Sequence, residues 1–267
     1  KFPPPNQQNS SNPMKTLSFA IPFVVILLCS CQPNKNDEEN AVYSGNPVFS
    51  GWYADPEGII FEDEYWIYPT FSDDYEDVEK TSELTDQQLA LQMNTINPQY
   101  KVLQSAAGHL FKQTFLDAFS SKDLINWEKH SRVLDIKDVS WAAYSIWAPS
   151  IIKANNKYYL FFGANDIQSN EEMGGIGVAV ADRPSGPFVD AIGKPLINSF
   201  HNGAQPIDQY VFKDDDGKHY MYYGGWSHCN IVQLSDDLLS LVPFEDGETF
   251  KEVTPDKYVE GPFVFKR

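Results

Sequence analysis

The sequence predicts an all-β protein, a β-propeller that stops after the start of its fourth blade. Three observations carry this prediction. Short runs rich in Tyr, Phe, Trp, Val and Ile are bounded by Gly, Asp, Asn and Pro, as strands are. One order of elements, a strand, a polar turn and an aromatic strand, recurs along the chain. No long helical period interrupts that order, which argues against alternating β-α units.

The first copy opens with ADPEGII (54–60), turns at FEDE, runs through YWIYPTF (65–71) and continues later at FLDAFSSKDLINW (115–127). The second reads WAPSII (147–152), KANNK, YYLFFGA (158–164) and GIGVAVADRPSGPF (175–188). The third reads IDQYVF (207–212), KDDDGKH, YMYYGGW (220–226) and IVQLSDDLLSLVPF (231–244). A fourth begins with the expected strand EGPFVF (260–265). Repeated units of three to four strands around a centre make a propeller. A β-sandwich also has short strands, but the recurring order favours the propeller. Asp215-Asp216-Gly217 between two strands is a hairpin signal, and Asp214 belongs to the same turn. A polar insertion at about 73–113 breaks the first copy, with 83–93 suited to a short helix. Such insertions lie on rim loops, as a wall of a cleft or as a plain surface excursion.

Composition narrows the function. The formal net charge of −17 offers no basic face, so a nucleic-acid partner is excluded. A neutral polysaccharide would not be repelled. Of three cysteines, Cys29 and Cys31 lie near the N-terminus and Cys229 stands alone. That is neither a disulfide framework nor a zinc spacing, so the fold must rest on its apolar core.

The N-terminal segment reads as an export signal. Residues 1–13 lie upstream of a plausible start at Met14 and look like an extension outside the mature protein. The apolar run 17–28 is too short to span a bilayer but suits a signal peptide over 14–31. Leu28-Cys29-Ser30-Cys31 resembles a bacterial lipobox, which implies cleavage before Cys31 and lipid on its thiol. A plain secretory signal with an incidental cysteine is the alternative. Residues 32–45 are polar and aperiodic, the pattern of a flexible tether. The expected location is therefore outside the cytoplasm, on a membrane, held by the lipid. Residues 46–267 form the incomplete propeller.

The first strand of a propeller blade lines the central axis. Acids at equivalent strand starts therefore converge, although far apart in sequence. Asp55, Asp208 and Glu260 occupy such places, and the second copy has Ala148 instead. Cleavage of a glycosidic bond needs one carboxylic acid to protonate the leaving oxygen and one carboxylate to activate water or attack directly. Crowding carboxyls in an aromatic funnel raises the pKa of at least one of them. Pro56 is expected to bias Asp55 toward extended backbone. Glu57, two residues on, shares a face with Asp55 and stays a candidate. Sugar rings stack on aromatic side chains, which makes Trp147 and Trp226 candidates for the substrate site. Gln205 and His228 are further candidates for sugar hydroxyls, as is His201. Tyr158, Tyr159, Phe161 and Phe162 suit the core.

Trp52-Tyr53-Ala54-Asp55-Pro56, Trp147-Ala148-Pro149-Ser150, Ile207-Asp208 and Glu260-Gly261-Pro262 closely resemble glycoside hydrolase family 43, in the family's order. The resemblance covers about 46–267. It implies a five-bladed β-propeller that inverts anomeric configuration. It makes Asp55 the general base, Glu260 the general acid and Asp208 the carboxylate that tunes and orients the acid. It implies α-L-arabinofuranosides or β-D-xylosides of plant polysaccharides as substrates. No cofactor is required for this chemistry. Some members hold calcium near the axis, but no ligand cluster is visible, so no metal is assigned. The sequence leaves the oligomeric state open. A non-catalytic carbohydrate-binding propeller is one alternative. A retaining fructoside hydrolase of related fold is another, though the pattern at Trp147 to Ser150 favours inversion. An incomplete propeller exposes sheet edges and half a core, so the chain alone is expected to aggregate or be inactive.

Overall fold

The computed structural model describes residues 45–49, 51–72, 113–143 and 145–267. The N-terminal extension, the signal segment with Cys31, nearly all of the tether and all but the last residue of the insertion lie outside the described residues.

Three antiparallel sheets follow one another along the chain. The first has β1 (Tyr53–Phe61), β2 (Glu64–Phe71), β3 (Phe115–Ser121) and β4 (Glu128–Asp135) in sequence order. The second has β5 (Ile146–Ala154), β6 (Lys157–Ala164), β7 (Gly175–Ala181) and β8 (Val189–Asp190). The third has β9 (Tyr210–Lys213), β10 (His219–Tyr223), β11 (Asn230–Leu234) and β12 (Leu241–Val242), with β13 (Lys251–Glu252) also pairing β11. Each sheet is one blade, and each aromatic run of the repeat is its second strand.

The packing explains the sequence of those runs. In β6 every residue after Lys157 is buried. Tyr158, Leu160 and Phe162 pack with the first sheet, while Tyr159 and Phe161 pack with the third. Successive side chains point to opposite faces, so a strand covered on both sides reads as one unbroken apolar run. Full burial of each such side chain contributes about 1.5–3 kcal/mol. In β10 burial alternates instead: Met221 and Tyr223 face the second sheet, and Tyr220 and Tyr222 stay half-buried on the other face.

The three copies share a bend at the start of the inner strand. Asp55, Ala148 and Asp208 have φ of +46°, +44° and +53°. A left-handed backbone costs a residue with a side chain about 1 kcal/mol or more. In the first two sheets it coincides with a break in register, between Ala54 and Glu57 and between Trp147 and Ser150. This corrects the expectation that Pro56 holds Asp55 extended. The left-handed conformation recurs at Asp208, just before β9, where no proline follows.

Residues 260–267 form no strand, contrary to the expected EGPFVF strand. A strand needs a ladder of backbone partners, and none forms here among the described residues: Phe263 packs its ring on Tyr210 and Lys266 pairs with Asp214 and Asp215, both through side chains. Phe263 and Phe265 are 67% and 63% exposed.

Candidate active site

The bends aim three strand starts at one place. A pocket of about 300 Å3 is lined by Asp55, Trp147, Asp166, Gln168, Gln205, Ile207, Asp208, Trp226 and Glu260. All three predicted acids meet there, together with three of the five predicted sugar contacts, Trp147, Gln205 and Trp226. A second cavity of about 250 Å3 shares Asp55 and Asp208 and extends past Glu57, Ala148, Gln209 and Phe263.

Each acid is held differently. Asp55 is exposed to the pocket, and its Oδ2 accepts a hydrogen bond from Thr70 Oγ1 at 2.9 Å. Asp208 is half-buried. Burial, followed by the charges of Glu260, Asp55 and Asp166, pushes its pKa up to about 7, against an opposing hydrogen bond from the Gly261 backbone N–H. Glu260 is exposed and has no strand beneath it. Its segment is tied to the third sheet by Tyr258, whose hydroxyl donates to Gly224 O at 2.7 Å, and by Ser227 N, which donates to Val259 O at 3.0 Å.

Glu57 sits apart from this trio. Its Oε2 accepts from Ile151 N at 3.2 Å, and burial pushes its pKa up to about 7 despite that bond and one to Ser150. Ser150 Oγ in turn accepts from Val211 N at 3.1 Å. Glu57 thus joins the inner strands of successive blades rather than lining the acidic pocket.

Trp147 lies across Gly163, where an added Cβ would stand 3.2 Å from the indole ring. Its Nε1 donates to Asn165 O at 3.3 Å. Trp226 is 52% exposed and packs against Phe200 with ring centroids 4.8 Å apart. Gln205 is buried, and its Nε2 donates to Asp166 Oδ1 and Ile167 O, both at 2.8 Å. The amide hydrogens are thereby committed, and the remaining polar atom of the side chain is an acceptor.

The predicted sugar contact at His228 is not in this wall. Its Nδ1 is paired with Glu252 Oε1 at 2.9 Å, and its ring abuts Gly203. His201 is also placed elsewhere, stacked on Phe250 with centroids 3.5 Å apart. The residues that sequence reasoning missed are Asp166, Gln168 and Thr70. Asp166 follows the second aromatic strand, just as Trp226 follows the third, and that repeat position was the available signal. For a metal ion, no cluster of three or more His, Cys, Asp or Glu side chains able to hold one exists among the described residues.

Fold and site define a class: a β-propeller with an acidic, indole-flanked pocket at its axis. Residues 44–267 match the family described as glycosyl hydrolases family 43, and the chain belongs to that family. A β-D-galactofuranosidase, xynD, of Aspergillus niger is 37% identical over 262 residues, covering 92% of this chain and 63% of its own length. Xylosidase/arabinosidase 43A of Humicola insolens is 34% identical over 180 residues, covering 67% of this chain and 46% of its own. Among solved structures, an α-L-arabinofuranosidase from Clostridium thermocellum superimposes with a TM-score of 0.58 at 27% identity, covering 80% of this chain and 60% of that one. The chain thus spans about half to two thirds of the length of these relatives.

Proposed function

We propose that the protein containing this chain is a glycoside hydrolase that cleaves α-L-arabinofuranosides or β-D-xylosides with inversion. The observation that carries this reading is the meeting of Asp55, Asp208 and Glu260 in one pocket beside Trp147 and Trp226. In it, Asp55 takes a proton from the attacking water, and Glu260 gives one to the leaving oxygen. Asp208 lies between their charges, and its proton occupancy near neutral pH sets the field in which Glu260 acts. The indoles flank the sugar, and Gln205 accepts from one of its hydroxyls. No step needs a cofactor.

The relative at 37% identity favours a second substrate reading, a β-D-galactofuranoside. Nitrophenyl arabinofuranoside, xyloside and galactofuranoside, assayed with the full-length protein, separate these substrates. Equal rates for wild type and Glu260→Ala would sink the assignment of the acid. Binding to arabinan or xylan with no reducing ends released would point to a carbohydrate-binding propeller instead. We also propose export and a membrane anchor through lipid on Cys31, on the strength of the Leu28-Cys29-Ser30-Cys31 motif. Labelled palmitate should enter the wild type and not Cys31→Ser, which should move to the soluble fraction.

A further inference from the structure

We infer that Thr70 is a positioning residue for Asp55, set in place by the backbone N–H of Ala148 in the neighbouring blade. The inference rests on the reading of Asp55 as the base. Thr70 is fully buried at the end of β2. Ala148 N stands 2.7 Å from Thr70 Oγ1. An amide N–H can only donate, so it occupies a lone pair of the hydroxyl. The hydroxyl proton then goes to its other neighbour, Asp55 Oδ2, at 2.9 Å. The direction of the chain is therefore fixed: Ala148 N–H to Thr70, Thr70 O–H to Asp55. A donor aimed at one carboxylate oxygen holds that oxygen in place. It also locks the rotation of the carboxyl, which leaves Oδ1 for the water.

The repeat supplies a second argument. Thr70 pairs with Ala54, just before the left-handed Asp55, and Gly163 pairs with Trp147, just before the left-handed Ala148. The place beside Asp55 thus holds a side chain that can donate, whereas glycine stands beside Ala148 and, in the third copy, Gly224 stands opposite Ile207, just before Asp208. The bend at Ala148 also gains a purpose. It has no carboxylate to aim, but it presents its N–H to Thr70.

The charged groups that face Asp55 are Asp208 from the third copy, Glu260 from the C-terminal segment and Asp166 across the pocket. A substitution at Thr70 changes none of them. In the full-length protein, Thr70→Val removes both hydrogen bonds at nearly constant shape. Mispositioning of a catalytic group costs on the order of 100-fold, so kcat should fall by about 10- to 100-fold. KM should change less. Thr70→Ser should restore the rate. A Thr70→Val enzyme with wild-type kcat would overturn the inference. So would a Thr70→Ser enzyme as impaired as Thr70→Val, which would point to packing alone. If instead Asp55→Asn keeps wild-type activity, the functional reading itself fails, and this inference falls with it.

Discussion

Asp55 stands at the bulge of β1, between residues that pair with β2, and its carboxylate is gripped by a buried threonine. Glu260 stands on a segment without a strand, tied to the third sheet through Tyr258 and Val259. The same pocket therefore joins one acid fixed by a sheet to another fixed by its tethers. The difference suits the roles proposed for the two acids. A base must aim at a small water in one defined place, which rewards rigidity. An acid must follow a leaving group whose bulk varies. The contrast extends to the sheets: β6 is buried on both faces, while β10 keeps Tyr220 and Tyr222 half-exposed on one.

Leaving-group chemistry should break this comparison most sharply. Asp55→Asn should lower kcat by about 100- to 10,000-fold, the range of general-base contributions. It should do so equally for good and poor leaving groups, because water attacks in either case. Glu260→Gln should cost as much on a natural linkage but under about tenfold on a dinitrophenyl glycoside, whose phenolate leaves without a proton. Rates of the two variants on both substrate types decide the matter. An Asp55 variant that recovers on the activated substrate would reverse the roles.

Asp208 tests how the two acids are coupled. Its pKa is raised from 3.8 to about 7, so between those values the folded state holds a proton that the unfolded chain releases. Stability from this group is therefore full below about pH 4 and falls as pH rises through 7. Asp208→Asn removes the penalty, so it should stabilise the fold more at pH 8 than at pH 5, by on the order of 1–3 kcal/mol, read as a larger rise in Tm at pH 8. The same variant should lose any inflection near pH 7 in its kcat/KM profile. Identical Tm changes at both pH values would contradict the burial-driven shift.

The smallest expected effect comes from the tether. Tyr258→Phe deletes the bond to Gly224 O, at a cost of about 1 kcal/mol and a several-fold fall in kcat on poor leaving groups. Asp55-dependent steps should be unaffected, so activated substrates should react at near wild-type rates.

The strands were legible in the sequence because each aromatic run reports its own burial. β2 and β6 fall within one residue of the ends read from the repeat, while β10 stops at Tyr223, before the Gly224-Gly225-Trp226 that the repeat included. The turn at Gly217 was legible too, since its φ of +83° suits glycine. The meeting of Asp55, Asp208 and Glu260 followed from their places in the repeat. Less legible was anything set by pairing across blades. Thr70 matters because of an N–H 78 residues away, and Asp166 because of Gln205, 39 residues away. His228 looked like a sugar contact because it lies on a loop, yet Glu252 claims it. The strand expected at 260–265 failed because its contacts with β9 and the turn after it, Phe263 on Tyr210 and Lys266 on Asp214, are made by side chains and not by a backbone ladder.

One measurement bears most directly on the proposed pairing of a water-activating Asp55 with a proton-donating Glu260. Proton NMR of the sugar first released by the full-length protein reads its anomeric configuration before mutarotation. Inversion is the predicted result, because water attacks opposite the departing group in a single displacement. Net retention would contradict it, since that outcome requires a carboxylate to bond the sugar itself.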